Sequence, residues 1–376
     1  MNNHNLIIEE KATFRVGNAF YRPQSKVTRD LGVLAATIYK HKHGQLRVLD
    51  AMTGCGIRAL RYYLESGADE ILVNDSNLDI KPILEDNLQD ILFLNKVKIS
   101  YKNANHIFFE CYNNKDYYDL VDVDGFGSPS PYLSTMLWAT KIGGLVYLTS
   151  TDGRTGTGHL PEKSLQVYGS YARSHPACQE QVLRLLIGSV LQQAATMELG
   201  IKPIFSLFTG QTYRVMLQLL NKSNLTLDNY GFIGYCHECG HYKRISWHQL
   251  GKVQCVQEKN INPYVISGPM WLGNLHDRDY LGEMKTLAKE WRWLKRVELL
   301  SVMENELDFP PYFYTLGEIG KRGKLDVPKR SQLIQSLNDQ GYRAAPTHIN
   351  AEAIKTNADL NICIEFSNAI SRQKTL

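Results

Sequence analysis

Residues 47–65 read RVLDAMTGCGIRALRYYLE. A short apolar run ends in an acid, Asp50; a turn carrying Gly54 and Gly56 follows; from Ile57 onward apolar residues recur at helical spacing. Strand, glycine turn and helix in immediate succession build a ligand cradle. Glycines let the backbone come close, and the helix start offers N–H groups with no intrahelical partner. Gly54-Cys55-Gly56-Ile57-Arg58-Ala59 fits the pattern G-x-G-x-x-A, and Asp75 stands 19 residues after Gly56, at the end of the next apolar run, the place for a carboxylate that grips a ribose diol.

Two ligand types compete for such a cradle. A dinucleotide lays its pyrophosphate on the helix start, whereas S-adenosylmethionine has no phosphate and brings a sulfonium and an ammonium. Asp50, four residues ahead of Gly54, repels the first and attracts the second. A plain tight turn in an α/β sheet is the alternative that needs no ligand.

Working outward, the runs 47–50, 70–74, 119–124, 144–150 and 213–220 read as strands, with 97–101 a further one, and 57–65, 80–94, 133–139 and 179–197 read as helices. This alternation predicts βαβ units and a parallel sheet covered on both faces, in a Rossmann-like α/β domain whose ligands sit at the carboxyl ends of the strands. Beyond about residue 225 the pattern changes to a cysteine-bearing, turn-rich segment, aromatic and Gly/Pro-rich stretches, and a helix rich in Trp and Lys. The expectation is one domain over 1–225 and a smaller α+β domain over 226–376.

The chain has 376 residues, 43% of them apolar, with 42 Lys+Arg against 38 Asp+Glu, which excludes intrinsic disorder and provides for one or two large cores. The net charge of +4 neither demands nor excludes a nucleic-acid partner. Seven cysteines, scattered apart from Cys236 and Cys239, point to a reducing compartment rather than a disulfide framework. The opening MNNHNLIIEEKATF lacks the basic segment and apolar run of a signal peptide, and no stretch approaches the ~18 apolar residues of a membrane span. A cytoplasmic protein with no membrane partner is expected.

A second loop, VDVDGFGSPSPYL at 121–133, follows another strand and lands on the same edge of the sheet. An amine conjugated to a heterocycle is a poor nucleophile because its lone pair is delocalised into the ring. Methylating it requires an acceptor for the N–H, an aromatic side chain to stack the base, and alignment with the methyl donor. Asp124 and Phe126 are of the right types, and Ser128 and Pro129 would face the same crevice. The plain alternative is an acidic turn capping a strand.

Taken in order, these segments resemble the tRNA (guanine-26-N2)-dimethyltransferase family of class I S-adenosylmethionine-dependent methyltransferases. Phe20-Tyr21-Arg22-Pro23 and Thr28-Arg29-Asp30-Leu31 are similar to its FYNP…NRDL segment. The 50–61 turn and helix, Asn74-Asp75, the 122–129 loop, Thr149 to Asp152, Tyr168-Gly169-Ser170, the 180–186 stretch and Tyr213-Arg214-Val215 follow. Gly268-Pro269-Met270-Trp271-Leu272-Gly273 with Leu275-His276-Asp277 looks like its GPLWLGPLHD element, and Pro311-Tyr312-Phe313-Tyr314 and Thr347-His348 through Lys355-Thr356 look like its C-terminal motifs.

The resemblance implies successive transfer of two methyl groups to N2 of a guanosine in tRNA by a monomeric enzyme, with 1–225 catalytic and 226–376 binding tRNA. It implies that Arg29 holds the donor's methionine carboxylate or a phosphate, and that Asp50 faces the donor's ammonium. Gly54, Gly56 and Arg58 form the donor turn, Asp75 binds the ribose, and Asn103 and Ala104 lie against the adenine, where the family more often has an acid. Asp124 and Phe126 are catalytic, together with Arg29, and Phe20, Ser128, Pro129, Asp152 and Trp271 contact substrate. For Asp152 turn capping is an equal alternative. One departure is Gly125, where the family pattern has proline directly after the loop aspartate; glycine frees the residue beside Asp124.

Cys236-His237-Glu238-Cys239 has metal-knuckle spacing, and Cys255 lies 16 residues beyond Cys239. A structural zinc ion needs four ligands. Cys236, Cys239 and Cys255 with one of His237, His241 or Glu258 would make a site, and a degenerate knuckle held by packing is the other reading. The clusters Trp291-Arg292-Trp293-Leu294-Lys295-Arg296, Lys321-Arg322-Gly323-Lys324 and Lys329-Arg330 suit RNA phosphates with adjacent stacking surfaces, or are solvated helix faces. Two other functions stay open: a tRNA-binding protein that keeps the donor fold without turnover, and a methyltransferase aimed at another amino-bearing base.

Overall fold

The computed structural model describes residues 6–257 and 260–373. Seven strands form the main sheet: Arg47–Asp50 (β1), Glu70–Asn74 (β2), Val97–Ser100 (β3), Tyr118–Val123 (β4), Thr140–Ser150 (β5), Gly200–Thr209 (β6) and Thr212–Leu220 (β7). Their order is β3-β2-β1-β4-β5-β7-β6. β1 to β5 run parallel, but β7 runs antiparallel between β5 and β6, so the sheet is mixed and not the wholly parallel one expected; the short β6–β7 turn joins neighbouring strands directly and so requires them to be antiparallel. β4 is buried at every residue, the pattern of a parallel strand covered on both faces. The chain builds outward from β1 to β3 and then returns to place β4 beside β1. That reversal opens a crevice at the strands' carboxyl ends, and the register sets Asp50 opposite Asp122 there.

The helices Lys26–His43 (α1), Ile57–Leu64 (α2) and Lys81–Phe93 (α3) contribute to the core on one face of this sheet, and Ala104–Asn113 (α4) and Cys178–Thr196 (α5) to the core on the other. The sequence reading missed α1 and α4 as helices and β6 as a strand. In α1 every residue from Thr28 to Tyr39 is buried, so no polar face sets up a periodicity. β6 contains Pro203, which argues against a strand; here it is tolerated because β6 is the sheet edge and is bulged between Pro203 and Phe205.

The main sheet ends at Leu220, but the chain beyond 225 does not stay apart from it. Helices Arg278–Glu290 (α6) and Leu294–Asn305 (α7) return to α1, where Leu281, Met284, Leu300 and Met303 join its core. A three-stranded sheet of Tyr230–Tyr235, Tyr242–Ile245 and Val265–Trp271 sits against α5 through its last strand. A second one, of Tyr314–Thr315, Ala344–Pro346 and Ala353–Thr356, completes the C-terminal part with three helices. A buried ion cluster ties this part to α5: Glu180 Oε1 accepts from Arg184 Nη2 and Lys355 Nζ, each at 2.7 Å. Among the described residues no helix is long and apolar enough to cross a membrane.

Candidate active site

A cavity of about 1000 Å³ opens at the carboxyl ends of β1, β2 and β4, with further walls from the start of α1, the 151–159 segment and the β6–β7 turn. On one side the glycine turn meets the acid after β2. Gly54 has a φ of +57°, which favours glycine, and its N–H donates to Asp75 Oδ2 at 2.9 Å while Asn77 N donates to Oδ1 at 2.9 Å. Asp75 is thereby held rigid in the wall. Asn103 and Ala104 line the wall at the start of α4, where the Asn103 side chain accepts from Asn105 N. Arg29 also reaches the wall, gripped bidentately by Glu9: Nε donates to Oε1 at 2.7 Å and Nη2 to Oε2 at 2.6 Å. Arg61 donates to Glu9 and to Asp30 in turn, so Arg29 is braced by a buried network.

At the end of β4 three carboxylates face two guanidiniums. Asp124 Oδ1 accepts from Arg214 Nη2 at 2.8 Å, and Oδ2 pairs with Arg58 Nη2. Asp122 accepts from the Tyr62 hydroxyl at 2.8 Å and lies 3.4 Å from Arg214. Arg214 stacks on the Tyr147 ring, its guanidinium carbon 4.5 Å from the ring centre. Asp50, the third acid, accepts from the Thr53 hydroxyl at 2.7 Å while its Oδ1 has no partner. Burial, then the charge of Asp122, pushes the Asp50 carboxyl up to about 7. At the mouth Phe20 and Phe126, 61% and 74% exposed, meet edge to face with ring centres 4.8 Å apart. Exposed aromatic pairs of this kind are sites for a planar ligand ring to displace solvent.

Several expected contacts are absent from the cavity wall. Asp50 is fully buried behind the Ala51–Gly54 stretch and does not present a carboxylate to a ligand in the cavity. Gly56, with a φ of +83°, begins α2; a Cβ there would meet Leu84 at 3.0 Å, so its role is close packing of α2 on α3. Asp152 caps a short helix by accepting from Thr155 N at 3.2 Å, Ser128 Oγ accepts from Ser130 N, and Pro129 is buried. Trp271 lies in the core, its indole N–H donating to Asn274 O at 2.8 Å. At Gly125 a Cβ would meet Met52 Sδ at 2.9 Å, so the loop packs against Met52 in space that a side chain would need. Conversely, Arg214, Asp122 and Glu9 were given no role in the site, although Arg214 and Asp122 lie in segments of the resemblance. An arginine inside the apolar run of β7 was the available signal, because a cation in a buried strand requires a buried acid.

The model of the family described as N2,N2-dimethylguanosine tRNA methyltransferase matches residues 3–367. The chain belongs to that family. It is 30% identical to a tRNA (guanine(26)-N(2))-dimethyltransferase of Pyrococcus horikoshii, over 96% of this chain and 95% of that protein. It is 29% identical to the enzyme of the same name from Pyrococcus furiosus, with the same coverage of each chain. Among solved structures, the complex of Trm1 from Pyrococcus horikoshii with S-adenosyl-L-methionine superposes with a TM-score of 0.82 at 28% identity, covering 96% of this chain and 99% of that one. The Rossmann-like methyltransferase fold with an added C-terminal part is therefore common to this chain and that N2,N2-dimethylguanosine tRNA methyltransferase family member.

Outside the cavity, the family member's cysteines converge: the sulfurs of Cys236, Cys239 and Cys255 lie within 4.8 Å of one another. No histidine nitrogen or carboxylate oxygen among the described residues joins them, so neither His237 nor His241 completes the set, and Glu258 lies outside the described residues. Cys239 Sγ and Cys255 Sγ lie 3.2 Å apart. Three thiols fit three of the four positions of a structural zinc ion. The basic clusters are partly consumed internally. Arg296 donates to Asp30 and Trp293 to Glu10, pinning the start of α7 to α1 and to the N-terminal turn at Glu10, while Arg322 grips the backbone carbonyls of His237 and Glu238. Arg292, Lys295, Lys321 and Lys324 stay on the surface.

Proposed function

We propose that this chain transfers methyl groups from S-adenosylmethionine to N2 of a guanosine in tRNA, in two rounds that end at N2,N2-dimethylguanosine, with guanosine 26 as the target. The observation that carries the reading is Asp124, held between Arg58 and Arg214 at the carboxyl end of β4, facing a cavity whose mouth bears Phe20 and Phe126. S-adenosylmethionine, when bound, supplies an electrophilic methyl carbon whose bond to sulfur breaks as a bond to nitrogen forms.

Each protein group then has a task. Two guanidiniums lock the Asp124 carboxylate in one orientation, leaving lone pairs to accept the guanine N2–H and hold the amine so that its own lone pair points at the donor methyl. The proton leaves through that hydrogen bond as the N–C bond forms. After the first round one N2–H remains for Asp124 to hold; after the second none does, which ends the reaction. Phe126 and Phe20 stack a guanine taken out of its helix, offsetting the unstacking cost. Asp75 receives the donor's ribose hydroxyls, Asn103 and Ala104 its adenine, and Arg29, already oriented by Glu9, its methionine carboxylate. The surface cations of the C-terminal part hold the tRNA body, and the protein works as a cytoplasmic monomer.

The deciding experiment incubates the purified chain with labelled S-adenosylmethionine and an unmodified tRNA transcript, then identifies nucleosides by mass spectrometry. N2-methyl- followed by N2,N2-dimethylguanosine is expected. Donor binding without product would make this a non-catalytic tRNA-binding protein, and label on another base would redirect the substrate.

A further inference from the structure

Five arginines reach the cavity: Arg22, Arg29, Arg58, Arg154 and Arg214. Three are paired with acids of the protein, Arg29 with Glu9 and the other two with Asp124 and Asp122. Arg22 and Arg154 differ. Among the described residues no carboxylate lies within ion-pair distance of either, Arg22 is half-buried, and Arg154 is exposed. Both are mounted on stiff supports. Arg22 precedes Pro23 and a short helical turn, and its carbonyl lies 3.4 Å from the guanidinium of Arg29; Arg154 sits in the Gly153–Gly156 turn that Asp152 caps.

A guanine that reaches Asp124 must enter the cavity while the ribose–phosphate chain on either side stays outside, because the polymer continues in both directions. The two phosphates flanking the inserted nucleotide are therefore held at the mouth. Planar guanidiniums free of internal acids match phosphate oxygens with paired N–H donors. We propose that Arg22 and Arg154 bind the backbone phosphates next to the methylated guanosine, so that the site selects a nucleotide within an RNA strand over the free nucleoside. This rests on the tRNA reading above. It assigns Arg22 and Arg154 a task distinct from donor binding and from holding the N2–H.

The test compares Arg22→Ala, Arg154→Ala, the double variant and the two Lys variants with wild type, using an unmodified tRNA transcript and labelled donor. Each Ala variant is expected to raise KM for the transcript about tenfold, to leave kcat within about twofold, and to leave the donor's Kd by calorimetry unchanged. The slope of log kcat/KM against log salt becomes shallower by about 0.7–0.9 per arginine removed, and Lys restores most of the affinity. Unchanged KM and salt slope in the double variant, with wild type active, overturns the proposal, as does a loss of donor affinity in place of tRNA affinity. A wild-type chain that methylates no tRNA would instead fail at the proposed function, and this assignment would fall with it.

Discussion

Asp124→Asn changes one atom and keeps the volume of the side chain. In the native site both oxygens serve arginines, Oδ1 accepting from Arg214 at 2.8 Å and Oδ2 pairing with Arg58. An amide offers one acceptor oxygen and turns an N–H toward the other guanidinium, so one charge-assisted hydrogen bond is lost and a donor faces a donor. A hydrogen bond to a charged group contributes about 1.5–3 kcal/mol. The Asp124 side chain is 25% exposed, but those of Arg58 and Arg214 are only 8% and 1% exposed, so the guanidinium that loses its partner stays buried and the stability cost lies toward the upper end, about 2–3 kcal/mol. On the proposed function Asp124 also accepts the guanine N2–H, a separate charge-assisted hydrogen bond, and loss of its roughly 1.5–3 kcal/mol corresponds to a factor of about 10–150 in rate. Single-turnover methyl transfer to a tRNA transcript is the assay, with donor affinity by calorimetry and a urea midpoint alongside. The expected result is a rate about a hundredfold lower, donor affinity within twofold of wild type, and a stability loss of about 2–3 kcal/mol. An unchanged rate would refute a contact between Asp124 and the N2–H, and a parallel loss of donor affinity would move Asp124 into the donor subsite.

Three further outcomes are expected. Asp50 has a folded pKa of about 7, raised by burial and by Asp122 above its ordinary value of 3.8. Between those values the folded chain holds a proton that the unfolded chain has lost, so this group's contribution to stability is full below about pH 4 and declines as pH rises toward 7. Asp50→Asn, neutral throughout, removes that decline; identical pH slopes of the urea midpoint in variant and wild type would refute it. Glu180→Gln leaves Arg184 and Lys355 buried without their shared acid and is expected to cost about 3–5 kcal/mol in denaturant titration, whereas an unshifted midpoint would show the cluster to be energetically neutral. Elemental analysis is expected to find one zinc ion per chain, lost in Cys255→Ser; a folded, metal-free wild type would assign the three thiols to packing alone.

Much of the fold was legible because it is written in local patterns. Apolar runs of strand length, separated by amphipathic stretches, announce βαβ units wherever one helix face is wet, as in α3. The pattern fails where burial is complete, as in α1, and where an edge permits a proline, as in β6. Part of the site was legible for the same reason. Gly54, Asp75, Asp124 and Phe126 follow strands directly, so chain order alone brings them to one edge of the sheet. Asp152 and Trp271 carried comparable signals, yet one caps a turn and the other fills the core. A side chain's type does not reveal whether a nearer backbone or apolar partner claims it first.

Composition and periodicity alone thus set the α/β class, six of the seven strands of the main sheet, and the acids and glycines at their ends. The tertiary structure decided which charges neutralise one another: Arg214 with Asp124, Glu9 with Arg29, and Glu180 with Lys355, pairs separated by 90, 20 and 175 residues. It also decided how deep each acid lies, setting Asp50 behind the wall and Asp124 in it. The physical reason is that burial and charge pairing are properties of contacts made across the sheet. Those contacts come from segments far apart in the chain, whereas backbone propensity and hydrophobic spacing are properties of neighbours along it.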